Sequence, residues 1–180
     1  MPVELHLQPT EARLVFLALA YHLARPGSEL DPKTKMPVQH GLAEVSSALQ
    51  PQLRQAAASV TLSTHQSERL GAAILGAINE LKVYPMLEPR PPEEGGGRRT
   101  TVAGFDGTLR HLFPEVEEDP DAATTLIEPL MALKRIYRGL YLLFRKYLSN
   151  LKPESDHSSV SKPLFVVICQ ECSSKVSIGQ

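Results

Sequence analysis

A mainly α-helical fold of about five helices, with a long C-terminal amphipathic helix and a small terminal β-hairpin, is what this sequence predicts. Three observations lead there. Apolar residues recur at alternating steps of three and four over several stretches, the spacing of a helix with one buried side. Prolines, 15 in 180 residues, fall where they suit helix starts and stops. Alternation of period two, the mark of a strand, is read at residues 3–7 and again at Lys175–Ile178. A chain of this length can bury about 70% of its unfolded surface without disulfides or metals. Its 42% apolar and 22% charged residues are ordinary globular usage.

The opening segment, Val3 to Leu7, alternates apolar and polar and reads as a short strand. Pro9 suits the first turn of a helix that runs to about Arg25, where Pro26 and Gly27 stop it. Its centre, Leu14 to Tyr21, is apolar nearly all round, which marks a buried hub rather than a surface helix. Residues 26–41 read as a loop, with Pro32 and Pro37 obstructing regular pairing. A second helix starts near Gly41 and sets Leu42, Val45 and Leu49 on one side until Pro51, and Leu53 to Val60 is read as a helical resumption. Ser63, with Gln66 three residues later, has the spacing of a capping box, and Leu70, Ile74, Ala77, Ile78 and Leu81 then line one side until Pro85. Gly71 and Gly76 weaken that helix or admit a close neighbour.

Residues 85–101 run proline to glycine without apolar period, so the chain divides into an N-terminal helical half (1–88), a flexible linker (89–101) and a C-terminal helical half (102–152). Val102, Phe105, Leu109, Leu112 and Phe113 suit a short amphipathic helix ended by Pro114. The long helix is expected from Asp119, its cap, to Lys152. Pro120 stands in its first turn, and Pro129 bends it or moves its true start later. Leu126, Leu130, Leu133, Tyr137, Leu140, Phe144, Tyr147 and Leu151 form its apolar seam, and Arg135, Arg138, Arg145 and Lys146 stand off it. The acidic block Glu115 to Asp121 before it and the cations within it both oppose the helix dipole. Residues 153–180 differ in character, serine-rich with one alanine-poor tail, and carry the expected hairpin.

The chemical signal of the tail is Cys169-Gln-Glu-Cys172, the only two cysteines in the chain. A strand, a CxxC turn and a second strand resemble one half of a zinc ribbon, and the resemblance rests on Cys169 and Cys172 alone. A structural zinc site takes four ligands, so the other two come from a second copy of the chain, or from His157 and one more group. Unligated thiols on a terminal hairpin and a redox disulfide are the competing readings, the last disfavoured because thioredoxin-type CxxC motifs open a helix.

The histidines gather no second site. His22 lies in the apolar helix and reads as a hydrogen-bonded core residue. His40 and Glu44, four apart, share one side of a helix but lack a third ligand, and His6, His65 and His111 read as solvated. Gly95-Gly96-Gly97 lacks the lysine and spacing of a phosphate loop. The opening, through Leu7, Pro9, Glu11, Leu14 and Val15, resembles the start of a response-regulator winged-helix domain, in which a strand leads into an apolar first helix. After Gly27 the sequence departs from that pattern, with neither a recognition helix nor a closing hairpin wing.

Function is therefore expected first as a protein-interaction or scaffold module that uses the helix 119–152 through Leu133, Tyr137, Leu140, Phe144 and Tyr147, with a protein partner or a homodimer. The alternative is nucleic-acid or anionic-surface binding through Arg135, Arg138, Arg145 and Lys146, against which a net charge of −1 stands. An enzyme of unrecognised chemistry ranks last, since no residue pattern specifies a reaction. No segment is apolar for long enough to span a bilayer, the N-terminus lacks a secretion pattern, and a cytoplasmic protein is expected.

Overall fold

A computed structural model describes residues 2–31, 33–88, 102, 104–136 and the two strands 165–168 and 175–178. Most of it is helical, and a four-stranded antiparallel sheet runs along one side. Strand β1 (Pro2–Leu7) leads into helix α1 (Pro9–Leu23), with Pro9 in the first turn and the Glu11 carboxylate accepting from Gln8 N–H at 2.8 Å. Helix α2 (Leu42–Leu49) passes into one turn of 3-10 helix at Gln50–Gln52, because Pro51 offers no N–H to continue the α ladder. Strand β2 (Ala58–Ser63) follows, then helix α3 (Thr64–Val83) with a second 3-10 turn at Tyr84–Met86. Helix α4 (Phe105–Leu112) and the short helices α5 (Glu115–Glu118) and α6 (Ala122–Thr125) come next, and residues 127–136 are helical. The terminal strands are β3 (Phe165–Ile168) and β4 (Lys175–Ile178).

Two expectations are corrected. Leu53 to Val60 does not resume as helix: the chain turns after Gln52 and enters β2, whose burial alternates from Ala58 inward to Ser59 outward along its length. Ala58-Ser-Val-Thr-Leu-Ser is itself a period-two sequence, and its β-branched Val60 and Thr61 favour the pleated state. The long helix does not begin at Asp119. Asp119 Oδ1 accepts from Asp121 N–H at 3.0 Å and closes a turn, α6 spans Ala122–Thr125, and helix resumes at 127. Pro129 explains the break, since its ring crowds the carbonyl of Thr125 and it has no N–H to donate there. It then occupies the first turn of the 127–136 stretch, where that deficit costs nothing. Residues 137–152 lie outside the described residues, as do the linker 89–101 and Pro32.

The sheet order is β2-β1-β4-β3. The terminal hairpin, with Phe165 opposite Ile178 and Ile168 opposite Lys175, pairs with the first strand of the chain, Val3 opposite Ile178 and Leu5 opposite Val176. Val3, Leu5 and Leu7 of β1 and Ala58, Val60 and Leu62 of β2 turn inward. They join one hydrophobic core with α1, α2, α3, α4 and the seam leucines Leu126, Leu130 and Leu133, so residues from both sides of the 89–101 segment are packed together. Tyr21 of α1 meets Phe105 of α4 edge to face, with ring centroids 5.7 Å apart. Tyr21 also lies against the bare Cα of Gly76 in α3, where a Cβ would run into its ring. No helix among the described residues is long and apolar enough to cross a membrane.

Candidate functional site

Polar side chains gather in three places. The first is the inner end of α1. His22 Nε2 stands 2.8 Å from Glu29 Oε1, and the Arg69 guanidinium of α3 donates to the same oxygen at 3.0 Å and to the Ser28 carbonyl. Glu29 Oε2 accepts from Ala43 N–H, the first turn of α2, at 3.3 Å. His22 is thus the hydrogen-bonded, mostly buried residue the sequence suggested, and its cluster pins the 26–40 loop to α1, α2 and α3. A partly desolvated ion pair with this many bonds fixes a geometry more than it adds stability. The second place is the junction of α3 and α4. Tyr84 Oη donates to Asp106 Oδ1 at 2.6 Å in the interior, and Arg110 binds Asp106 Oδ2 at 3.0 Å and reaches Glu117 at 3.5 Å. Both clusters consume their own charges in holding elements together.

The third place is open. A cleft of about 670 Å³ runs between α2 and the outer edge of β2. Its helical side presents His40, Glu44 and Ala48, and its strand side presents Ser59, Thr61 and Ser63. His40 precedes α2, in a left-handed backbone at φ 56°, so the pair does not share one side of a helix as expected, although its ring stands 3.4 Å from Glu44 in solvent. The outer backbone edge of β2 is closed at Ser59 and at Ser63 by a glutamine. Gln52 exchanges both amide groups with the backbone of Ser59, at 2.9 and 3.0 Å, and donates to Ala48 C=O at 2.8 Å. Gln66, only 6% exposed, accepts from Ser63 N–H at 2.8 Å and donates to Gly41 C=O at 3.2 Å, while Ser63 Oγ accepts from Gln66 N–H to complete the capping box. A separate cavity of about 580 Å³ between α1, the Gln50–Gln52 turn and α4 is lined by Arg13, Arg54 and His111 over Phe16 and Leu53.

The expected site residues divide cleanly. Leu133 is buried at 4% exposure in the chain's own core, with Leu130 at 0%, so this part of the seam packs internally. Arg135 is exposed and stands 3.9 Å from Glu128. Tyr137, Leu140, Phe144 and Tyr147, the basic residues Arg138, Arg145 and Lys146, and Cys169 and Cys172 all lie outside the described residues. Among the described residues no three or more His, Cys, Asp or Glu side chains are grouped to hold a metal ion.

A surface the sequence did not single out is the outer side of α3. Leu75 and Val83, two turns apart, are 41% and 38% exposed, and Met86, one turn further on, is 83% exposed. Ala72 and Asn79 complete the exposed row between and before them. Its signal in the sequence is weak, because Asn79 interrupts the row and Lys82 stands beside Val83, while Leu70, Ile74 and Ile78 dominate the periodicity. Comparison of the chain with protein-family models, with curated proteins and with solved structures gives no match.

Proposed function

We propose that the protein is an interaction module that assembles with a second copy of its own chain through apolar helix surface. The observation that carries this reading is the row Leu75, Val83 and Met86 on α3 and its 3-10 extension, three of the five large apolar side chains exposed among the described residues. Single exposed apolar side chains are ordinary. A row along one side of a helix, here interrupted by Asn79, supports an association surface better than scattered side chains do. The seam residues Tyr137, Leu140, Phe144 and Tyr147 add support through their heptad-like spacing, which is what pairing between helices requires.

Light scattering over a wide concentration range tests the proposal. The expected mass rises from 19.8 kDa toward twice that value, and a Leu75→Glu, Val83→Glu double variant of unchanged circular dichroism stays at the monomer mass throughout. A native chain that remains at 19.8 kDa at every concentration removes the reading.

A further inference from the structure

The edge of β2 is open at one residue. In an antiparallel pair, opposed residues alternate between those that exchange both backbone bonds and those that exchange neither. Ser59 spends its N–H and C=O on Gln52, on the side away from β1, so the pair Ser59–His6 exchanges none. The alternation then makes Thr61–Glu4 and Ser63–Pro2 non-exchanging pairs as well. Pro2, which has no N–H, stands where none is needed, and Ser63 N–H indeed points outward to Gln66. Thr61 therefore turns its N–H and C=O outward into the cleft, between two neighbours whose outward groups are closed by glutamine, and no group among the described residues bonds them there.

We propose that this cleft takes an extended peptide segment of another protein, which lies along β2, bonds its backbone at Thr61 alone and carries a lysine or arginine over Glu44. An N–H and a C=O presented together by one strand residue are matched by the backbone of another strand, which is how edge-addition sites bind. The cleft is shaped for it, with a strand edge for one wall and the exposed residues of α2, Glu44 and Ala48, for the other. Glu44 is the one carboxylate among the lining residues, its neighbour there is His40 at 3.4 Å, and neither lysine nor arginine lines the cleft, so the complementary side chain is cationic. The glutamine closures at Ser59 and Ser63 protect an edge that would otherwise template aggregation, and they confine the open part to Thr61. This site lies at α2, β2 and the first turn of α3, apart from the row Leu75, Val83 and Met86, and does not depend on self-association.

The probe is a fluorescein-labelled peptide of alternating threonine and valine with two lysines, compared with the same peptide carrying glutamates. The full chain is expected to bind the basic peptide, and the Thr61 amide, rapidly exchanging in the free protein, becomes protected in the complex. Thr61→Pro removes the N–H without touching a bond to β1, as prolines on edge strands do. Its affinity is expected to fall by about tenfold or more with melting temperature little changed. Glu44→Lys is expected to reverse the preference between the two peptides. Absence of binding, shifts confined to residues outside 40–48 and 59–63, or a Thr61 amide already protected in the dilute free chain each overturn the proposal, the last because the chain itself would then fill the edge.

Discussion

At the scale of single residues, the loop between α1 and α2 is held by short-range polar bonds that composition alone does not reveal. Asp31 Oδ1 accepts from Thr34 N–H at 2.7 Å, Lys33 N–H at 2.9 Å and Thr34 Oγ1 at 3.1 Å, which closes the turn enclosed by the bridge between Leu30 and Pro37. These bonds favour the ionised carboxylate, the Thr34 backbone bond most, and they hold the Asp31 pKa below its ordinary value. A carboxyl with a depressed folded pKa lends stability that is present above its unfolded pKa and is lost as pH falls through the folded one. An NMR titration is therefore expected to place the Asp31 midpoint below that of an Asp in a random peptide, and Thr34→Val, which removes the hydroxyl bond but keeps the backbone N–H, to move it only part of the way back. A native Asp31 midpoint equal to that of the random peptide would separate the carboxylate from these bonds. His22 shows the complementary case. Its placement on an apolar helix identified it as a bonded interior group, but Glu29 and Arg69, its partners from seven and 47 residues away, had no mark in the sequence.

At the scale of elements, helix starts and stops were the most legible feature. Ser63 and Gln66 form the expected box, Gly41 precedes α2, and the five apolar positions from Leu70 to Leu81 are all buried. Local chemistry decides these, because a cap needs only its own next three residues. β2 was misread because Leu53 and Val60 allow a helical spacing that competes with its six-residue alternation, and only the pairing with β1 selects the strand. The two glycines of α3 give a direct test of element packing. Gly71 has open space where a Cβ would stand, so Gly71→Ala is expected to stabilise the protein by up to ~1 kcal/mol through helix propensity. Gly76→Ala gains the same propensity but drives a methyl into the Tyr21 ring, which is fixed by Phe105, and a net loss of about 1–3 kcal/mol is expected from such overpacking. Urea unfolding of both variants measures the pair, and equal effects would mean that Tyr21 moves aside freely.

At the scale of the whole molecule, one core joins residues from both sides of the 89–101 segment, and the buried bond from Tyr84 to Asp106 ties α3 to α4. Unfolding is thus expected in one transition, with far-UV circular dichroism and tyrosine absorbance coinciding, and Asp106→Ala is expected to lower the midpoint while keeping a single step, at a cost of about 1–3 kcal/mol for the polar groups left unmatched. Two resolved steps would show that the halves fold apart. By itself the sequence determined the helical class, most helix ends, the terminal hairpin and the interior of α1 and α3, since period and capping are properties of neighbours along the chain. Only the tertiary structure decided that the hairpin joins the first strand, that Leu130 and Leu133 face the chain's own core, and that β2 ends the sheet with Thr61 open beside α2. Those outcomes depend on which surfaces, distant in sequence, bury one another and which backbone groups are left over, and no local pattern encodes either.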